Sequence, residues 1–452
     1  MQRITLWIAA LCFLSVGCQK DYISRTEIRE NIEESELYLQ CIENLTDIQV
    51  HDIFAPPVAA RVYAYPCIGA YEAISPAYAD YASYGNRLQG LGSLDIEVDT
   101  SVLSYDLAAI YTFNELGKKL VFSEEKMEAW QMQIDSMVNS WQVDPQTQDA
   151  SKAYATAVAD QVWAWAKQDN YDQTRTMPKF SVTDDPSRWK PTPPAYMEGI
   201  EPHWNKIRTM VIDSAAQFRP AAPPAFELEE GTVFHDLVKE VYDVGNNLDE
   251  EQRLIASFWD CNPFVMNQTG HIMFATKKIT PGGHWMGITG VACRKADADL
   301  METVKVHSMV SIGLFDAFIS CWDEKYRSSL IRPETVINQT MDPDWLPALQ
   351  TPPFPEHTSG HSVISTAAAV LLTEMFGDNF DFVDVVEVKY GLPERSFNSF
   401  MEASQEAAIS RLYGGIHYRP AIEDGVTQGQ KVGDFIIGKL LTDQGEGLSE
   451  LR

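Results

Sequence analysis

Cationic side chains are scarce in this sequence. It has 35 Lys and Arg residues against 64 Asp and Glu residues, which gives a formal net charge of −29. A surface this acidic repels the phosphates of nucleic acids and of anionic lipids, so by charge we expect neither as a partner. A local group of Lys and Arg residues is therefore more informative here than in a chain of balanced charge.

Long apolar runs are also scarce. Residues 4–16 form an apolar run behind Arg3, which is typical of a signal peptide. The run is too short to cross a bilayer as a helix, which needs about 20 residues. Residues 306–322 are apolar but contain His307 and Asp316, and we predict a buried core helix there rather than a membrane span.

The end of the predicted signal peptide is similar to a bacterial lipobox. Ser15, Val16 and Gly17 precede Cys18, and Gln-Lys-Asp follows, like the tag of some surface-exposed lipoproteins. We expect residues 1–17 to be a signal peptide and Cys18 to be lipidated. The protein would then lie in the cell envelope, anchored by lipid to the outer membrane and exposed at the surface, with no other membrane contact. An ordinary secretory signal with an incidental Cys18 is the alternative.

Cysteine is too sparse to form a disulfide framework. Without the leader and Cys18, an odd number remains, so at least one thiol is unpaired outside the cytoplasm. None lies in a CxxC pattern, so the spacing does not indicate a zinc site. A Cys41–Cys67 disulfide is one open pairing. The five are Cys41, Cys67, Cys261, Cys293 and Cys321.

Prolines divide the chain. They are concentrated in residues 169–230, where they exclude long helices and predict a long irregular connection that is functional or covers a site. Apolar residues recur at helical spacing in an N-terminal region, residues 18–168, and again in residues 231–452. Strand signals are few, so the predicted fold class is all-α. Helices are predicted at 101–122, 126–141, 150–165, 232–244, 249–259, 300–322, 362–376, 400–413 and 423–441.

Three short blocks carry the chemistry. The first, residues 322–333, separates Lys325 from Arg332 by seven positions. Seven positions are about two helical turns, so both side chains can lie on one face of a helix that Pro333 ends. Taken alone, such a pair is more often a solvated charged face than a site.

The second block, residues 353–362, places Ser359, Gly360 and His361 directly before an apolar helix. A helix N-terminus carries free N–H groups and a partial positive charge, which favour a bound anion. Gly360 lets the backbone come close to a ligand, and Ser359 can donate a hydrogen bond or cap the helix. A plain helix cap beside a structural histidine is the alternative.

The third block, residues 410–420, ends a helix near Arg411, breaks it at Gly414 and Gly415, and presents His417 before Pro420. A single histidine of this kind is more often structural than catalytic. Together, however, the three blocks supply one Lys, two Arg, two His, a Ser and a helix start. That set would form a cationic pocket rich in hydrogen-bond donors and matched to a tetrahedral oxyanion.

In this order, the blocks resemble the signature of the vanadium haloperoxidase and type-2 phosphatidic acid phosphatase superfamily: Lys-x6-Arg-Pro, Pro-Ser-Gly-His and Ser-Arg-x5-His. Thr358 replaces the Pro of the second motif. The resemblance extends over residues 231–441, and residues 258–260 and 281–285 resemble segments of bacterial haloperoxidase-like members. It implies bundled helices with the site between them and a catalytic core in residues 231–452.

The resemblance also implies two chemistries on small-molecule substrates. A haloperoxidase would hold vanadate and oxidise halide with hydrogen peroxide, whereas an acid phosphatase would need no metal and would form a phosphohistidine from a phosphoester. His417 would bind vanadium or act as the nucleophile, and His361 would be the acid–base group. The groups that would hold the equatorial oxygens belong to Lys325, Arg332, Ser359, Gly360 and Arg411.

Two aromatic residues favour the haloperoxidase. Trp322 and Phe354 match pocket-lining aromatic residues of chloroperoxidase-like members, with plain packing as the alternative. A dry aromatic wall suits a halide better than a polar phosphoester. His357 would be either a proton-relay group lining the pocket or a surface histidine, and we favour the surface position.

One position departs from the family pattern. Members often place Asp four residues after the ligand histidine to orient its ring, but this chain has Ala421 there. We expect Glu423, Asp424 or Asp260 to substitute. Without such a carboxylate, His417 would be less basic and would bind vanadate less tightly.

Overall fold

A computed structural model describes residues 22–96, 98–269 and 271–441. The predicted signal peptide and lipidated Cys18 lie outside these residues. Within them the fold is built from fifteen α-helices, and the all-α prediction is confirmed. The N-terminal helices are α1 (Arg25–Glu34), α2 (Leu37–Asp52), α3 (Pro56–Ile74), α4 (Tyr105–Leu120), α5 (Glu124–Ser140), α6 (Pro145–Ala166) and α7 (Tyr171–Thr174). The later ones are α8 (Val233–Asn246), α9 (Glu250–Phe258), α10 (Pro281–Ala296), α11 (Leu300–Ser328), α12 (Pro333–Thr340), α13 (Gly360–Phe376), α14 (Phe400–Tyr413) and α15 (Arg419–Leu440).

Strands are confined to two antiparallel pairs in the described residues. β1 (Val265–Thr269) pairs with β2 (Ile272–Thr276), and β3 (Phe382–Asp384) pairs with β4 (Arg395–Phe397). Each pair has two strands, and these contribute Phe382 and Phe397 to a core that is otherwise built mainly by the helices.

Helix α11 is the centre of the fold. A capping box starts it: the Asp299 carboxylate accepts the Glu302 N–H at 2.8 Å, and Glu302 accepts the Asp299 N–H at 3.0 Å. Among the described helices it alone is long and apolar enough to cross a membrane, yet 94% of its apolar window is buried in the protein. It packs against α3 and α13, so both halves of the chain share one hydrophobic core. The predicted core helix is confirmed.

Helices α13 and α15 approach each other closely because α15 presents glycines to α13. A Cβ atom added at Gly429 would lie 2.2 Å from the Val363 carbonyl oxygen, and one at Gly425 would lie 2.8 Å from the Ser362 Cβ. Only glycine leaves room for this contact. The contact fixes the N-terminal turn of α13, where the second sequence block lies.

The proline-rich connection is irregular apart from α7 and a short 3-10 turn at Trp204–Lys206, as predicted. A buried carboxylate holds it in place: Asp316 of α11 accepts the N–H groups of Met210, Val211 and Ile212 at 2.7, 2.7 and 2.9 Å. The Ile200 carbonyl accepts hydrogen bonds from Trp322 and Tyr326, the first at 3.2 Å. The connection therefore covers the C-terminal end of α11, where Lys325 lies.

All five described cysteines are free, buried thiols, so the Cys41–Cys67 disulfide is not formed in this structure. Desolvation raises the pKa of both of these thiols to about 12. They behave as small apolar core residues.

Candidate anion-binding active site

Five chain segments bring the predicted site residues close together. They are the last turn of α11, the start of α12, the start of α13, the last turn of α14 and the turn before α15. The residues that these segments supply are Lys325, Arg332, Ser359, Gly360, His361, Arg411 and His417. Gly360, His361, Arg411 and His417 line one pocket, whereas Lys325, Arg332 and Ser359 are not among its lining residues, and Arg332 reaches it through His417.

Lys325 and Arg332 do not share a helix face, and that prediction is wrong. Helix α11 ends at Ser328, and Ser329 adopts a left-handed conformation with φ 48°. Arg332 is extended (φ −79°, ψ 151°) and caps α12, whose first residue is Pro333. Proline suits the first helical position because its missing N–H would be unsatisfied there anyway. Pro333 therefore starts a helix, and the turn before it brings Arg332 back toward Lys325.

Lys325 is fully buried, and its ammonium group is held by backbone carbonyls. Nζ donates to the carbonyls of Pro355 and Glu356 at 3.1 Å each, and also to that of Thr358. It lies 5.0 Å from the centre of the Phe354 ring, within cation–π range. Burial lowers the pKa of Lys325 to about 8, and the cation of Arg332 adds to this effect.

Arg332 points at His417. Its Nε donates to the Phe354 carbonyl at 2.9 Å and its Nη1 to the Ile416 carbonyl at 2.8 Å, and Nη1 lies 3.2 Å from His417 Nε2. Desolvation lowers the pKa of Arg332 to about 10, which still leaves it charged at neutral pH. An arginine can only donate, so His417 Nε2 accepts and its proton resides on Nδ1.

Glu356 is the orienting carboxylate that sequence reasoning missed. Its Oε1 lies 2.9 Å from His417 Nδ1 and accepts the Tyr418 N–H at 2.9 Å. Burial raises the pKa of Glu356 to about 7. The residue lies inside the second sequence block, directly before His357. The signal that could have found it is an acidic residue in a block otherwise made of Pro, aromatic and small residues.

The three substitutes predicted for Ala421 lie elsewhere, and that prediction is wrong. Glu423 is exposed, Asp424 lies 3.6 Å from His357, and Asp260 pairs with Lys278 at 2.7 Å. Ala421 contacts the site through its main chain: its carbonyl accepts the Ser359 N–H at 2.9 Å. The required carboxylate comes from a different segment than the one after His417.

Arg411 and His361 form the opposite side of the pocket. Arg411 donates from Nη2 to the Trp259 carbonyl at 2.6 Å and from Nε to the Ser410 hydroxyl at 2.9 Å. Burial lowers the pKa of Arg411 to about 10. Burial and the Arg411 cation together hold the pKa of His361 well below its usual value, so its ring is neutral.

The start of α13 supplies the backbone part of the site. Ser359 is the N-cap, and its hydroxyl accepts the Ser362 N–H at 3.3 Å, which leaves its own proton to donate. Gly360 lines the pocket, where an added Cβ would lie 3.7 Å from the Trp322 ring and would fill space beside it. The N–H groups and dipole of this 17-residue helix favour an anion at this position.

The pocket is a partly open cleft with a mostly apolar wall. The predicted aromatic residues Trp322 and Phe354 both line it, with ring centres 5.0 Å apart. Met197 and Ile200 of the proline-rich connection complete this wall. His361, Arg411 and His417 line the same cleft, so polar nitrogen groups and an apolar wall meet in one pocket.

His357 is neither at the surface nor in the pocket. It is buried, with its Nε2 3.6 Å from the Asp424 carboxylate, and it is not among the residues that line the cleft. Both expectations for His357 are therefore wrong. The polypeptide turns between Glu356 and Ser359, so neighbouring side chains in this block point in different directions.

The residues fit an oxyanion cofactor. Two buried nitrogen atoms of the site, Arg332 Nη2 and His361 Nε2, have no hydrogen-bond partner among the described residues. Buried polar atoms are normally paired, and a tetrahedral oxyanion offers an acceptor to Arg332 Nη2 and, when protonated, a donor to His361 Nε2. Burial and the Arg332 cation hold the pKa of His417 well below its usual value, so its ring is neutral and can act as a ligand.

Comparison with known proteins agrees with this geometry. Residues 305–442 match the family model described as the VCPO second helical-bundle domain. No curated protein matches the sequence. The crystal structure of the first bacterial vanadium-dependent iodoperoxidase shares 54% sequence identity, covers 90% of this chain and 96% of its own, and gives a TM-score of 0.85.

Two structures of a bacterial vanadium-dependent chloroperoxidase, holo-type and apo-type, match at 14% identity with TM-scores of 0.63. Both matches cover 87% of this chain; they cover 94% of the holo-type chain and 96% of the apo-type chain. At this identity the match shows a common fold. The identity and coverage of the iodoperoxidase match show more: this chain belongs to the vanadium-dependent haloperoxidase family.

Proposed function

We propose that this protein oxidises iodide with hydrogen peroxide and uses vanadate as its cofactor. The observation that carries the proposal is the His417 ring, whose Nδ1 is held by Glu356 while Nε2 faces Arg332 in a pocket of buried cations. Iodide is favoured because the relative described as an iodoperoxidase shares more than half of its aligned residues with this chain. The substrates are small molecules, which a cleft with an apolar wall and a few polar groups can admit.

We assign the binding of the cofactor to His417 through Nε2 and to the cationic donors around it. When bound, vanadate supplies a Lewis acid that activates hydrogen peroxide toward halide. The donors that would face its oxygens belong to Arg332, Ser359, Gly360 and Arg411, and Lys325, whose three N–H groups all go to carbonyls, would contribute its positive charge. Because hydrogen bonds fix Lys325, Arg332 and Arg411 before any ligand arrives, the site is preorganised for negative charge.

His361 is the acid–base group in this proposal. Its Nε2 is buried and free of partners among the described residues, and its neutral ring can accept a proton there. The Arg411 cation, which disfavours a second positive charge, makes the protonated ring a strong proton donor. His361 would therefore accept and return the proton that peroxide loses on activation.

The aromatic wall keeps water out and leaves an apolar path for halide. Trp322 and Phe354 line the cleft, and the Lys325 ammonium lies 5.8 and 5.0 Å from their ring centres. A large, weakly hydrated anion such as iodide loses little on leaving water for such a wall. This supports iodide over smaller halides.

The test is the sign of the effect of vanadate. Protein freed of vanadate is titrated with orthovanadate, and oxidation of iodide by peroxide is followed as triiodide absorbance. We expect activation that saturates near one vanadate per chain. Bromide and chloride are assayed in parallel by halogenation of a dimedone-type reporter, and we expect lower rates with both.

A matched pair of variants completes the test. His417→Ala should abolish activation, whereas His51→Ala, a change of an exposed histidine on α2, should keep it. Protein that binds vanadate and oxidises no halide would overturn the proposal. Metal-free hydrolysis of an aryl phosphate that vanadate inhibits would instead assign the pocket to an acid phosphatase.

We also propose that Cys18 is lipidated and anchors the protein to the outer membrane, as the lipobox-like residues 15–18 favour. The full-length chain expressed in a Gram-negative host should enter the detergent phase on Triton X-114 separation. Cys18→Ser should leave it in the aqueous phase. A wild-type protein that stays in the aqueous phase, with no lipid mass on its N-terminal peptide, would contradict this assignment.

A further inference from the structure

A second cluster of reactive side chains lies outside the anion pocket. Cys261 follows α9, His284 lies in the first turn of α10, and Glu387 precedes a short 3-10 helix at Val388–Tyr390. The three residues are 2%, 0% and 2% exposed. The fold thus brings a thiol, an imidazole and a carboxylate from three distant segments to one buried point.

Their donor atoms have the spacing of ligands around one metal ion. Cys261 Sγ lies 3.4 Å from His284 Nδ1 and 3.9 Å from Glu387 Oε1, and Nδ1 lies 3.3 Å from Oε1. Zinc binds sulfur at about 2.3 Å and imidazole nitrogen or carboxylate oxygen at about 2.0–2.2 Å, usually in tetrahedral geometry. Those bond lengths place neighbouring ligand atoms roughly 3.3–3.6 Å apart. The observed triangle nearly matches this spacing.

The other nitrogen of the same imidazole is also held. His284 Nε2 lies 2.7 Å from the Asp384 carboxylate, which also accepts the Val386 N–H at 2.9 Å. Histidines that bind metals generally donate their second N–H to a carboxylate, which fixes the tautomer and turns the free lone pair to the metal. Here this would leave Nδ1 as the metal-binding nitrogen, facing Cys261 and Glu387.

Charge favours a cation at this point. The carboxylates of Asp384 and Glu387 are almost completely buried, and a single imidazole can neutralise at most one of them. The nearby cations have other partners: Lys278 pairs with Asp260 at 2.7 Å, and Arg411 donates to the Trp259 carbonyl. A divalent ion would compensate the remaining negative charge.

We propose that Cys261, His284 and Glu387 bind one Zn²⁺ ion. The mixture of soft thiolate with imidazole and carboxylate ligands suits Zn²⁺ better than Mg²⁺ or Ca²⁺, which prefer oxygen ligands alone. Three protein ligands leave the fourth tetrahedral position to a water molecule. The zinc site does not depend on the proposed peroxidase function.

The proposed zinc site adjoins the anion pocket through Trp259. The Trp259 ring stacks on the His284 ring with centres 4.7 Å apart, and its carbonyl accepts the Arg411 hydrogen bond at 2.6 Å. Cys261 itself lines the cleft. Fixing His284 would therefore fix the carbonyl that positions Arg411, so zinc would act as a structural brace for the oxyanion site.

Cobalt substitution tests the proposal without any activity measurement. The whole protein, stripped of metal and freed of chelator, is titrated with Co²⁺. We expect one Co²⁺ per chain, with tetrahedral visible bands and a near-ultraviolet thiolate charge-transfer band, and displacement by one equivalent of Zn²⁺. Cys261→Ser should remove the charge-transfer band. Cys293→Ser, which changes a buried thiol of α10 outside the cluster, should retain it.

A second variant guards against a folding defect in the first. Glu387→Gln keeps the shape of the side chain, and we expect it to lower Zn²⁺ affinity at least 10-fold with the thiolate band still present at saturating Co²⁺. Wild-type protein that binds no Co²⁺, or whose bands survive Cys261→Ser, would overturn the proposal and leave a buried His–carboxylate ion pair. Loss of iodide oxidation would not affect this result, since the readout is spectroscopic.

Discussion

Replacing Glu356 by Gln tests the hydrogen bond that orients His417. Glu356 Oε1 accepts both from His417 Nδ1 and from the Tyr418 N–H, each at 2.9 Å, and the side chain is fully buried. Gln has the same shape but no charge, and its amide oxygen has to serve both donors. The His417 ring then becomes less basic and less firmly held, while the fold around it is preserved.

The expected magnitude follows from the role of such carboxylates. Removing the partner of a metal-binding histidine lowers metal affinity about 10- to 100-fold, which corresponds to about 1.4–2.8 kcal/mol. The pKa of Glu356 is raised to about 7 by burial, so the wild-type carboxyl is ionised at pH 8 and largely protonated at pH 6. The loss in Glu356→Gln should therefore be larger at pH 8 than at pH 6.

The assay is the orthovanadate concentration that gives half-maximal iodide oxidation, measured at both pH values and checked by calorimetric binding. Asp424→Asn is the matched control, because Asp424 lies beside His357 and has no contact with His417 in the described hydrogen bonds. Unchanged vanadate affinity in a folded Glu356→Gln protein would refute the reasoning. An equal loss in Asp424→Asn would refute the assignment of Glu356.

Three further perturbations test the surrounding structure. Burial lowers the pKa of Lys325 to about 8, so Lys325 should lose its charge as the pH rises through 8. The affinity for tungstate, an oxyanion that does not titrate near this pH, should then fall. Calorimetric titrations should show this pH dependence in the wild type and not in Lys325→Met. Burial raises the pKa of Asp316 to about 6 from 3.8, so its folded carboxyl retains a proton that the unfolded one has lost. The free energy of unfolding of the wild type relative to Asp316→Asn should decline between pH 4 and 6 in urea titrations, and a rise would contradict this sign. Gly429→Ala places a Cβ 2.2 Å from a backbone oxygen of α13 and should destabilise by about 1–3 kcal/mol or more. Gly438→Ala, whose Cβ meets no described atom within 4 Å, should be neutral or stabilising by up to about 1 kcal/mol in the same denaturation experiment.

The residues around the anion pocket, here called the cage residues (Lys325, Arg332, Ser359, Gly360, His361, Arg411 and His417), could be predicted from the sequence because they lie in three short blocks. Ser359, Gly360 and His361 are consecutive, and the apolar run that follows fixes them at a helix start. Helix periodicity likewise predicted α14 at its observed ends and α11 from its observed start. Helix periodicity and helix-start signals are sufficient to predict a feature whose residues are neighbours in the sequence.

Contacts between segments could not be predicted in this way. Glu356 and His417 are 61 positions apart, so no spacing rule relates them, and the search for a carboxylate near Ala421 looked in the wrong segment. The turn at Ser329 depends on tertiary packing that folds Arg332 back, whereas a proline alone is compatible with either a helix end or a helix start. His357 was placed at the surface for a related reason, since polarity says nothing about the partner Asp424 on α15.

The cage cations are held by neutral groups, and this explains how an acidic protein can bind an anion. The bonds found for Lys325, Arg332 and Arg411 in the described part of the chain go to backbone carbonyls, a hydroxyl and an imidazole, and none goes to a carboxylate. Carbonyls fix the geometry of a cation without cancelling its charge, so burial lowers all three pKa values and the folded protein bears that cost. Carboxylate partners would have relieved the cost but would have competed with the oxyanion. The one carboxylate that bonds directly to the cage, Glu356, lies on the Nδ1 side of His417, away from Nε2, where it strengthens the ligand and does not occupy the anion's position.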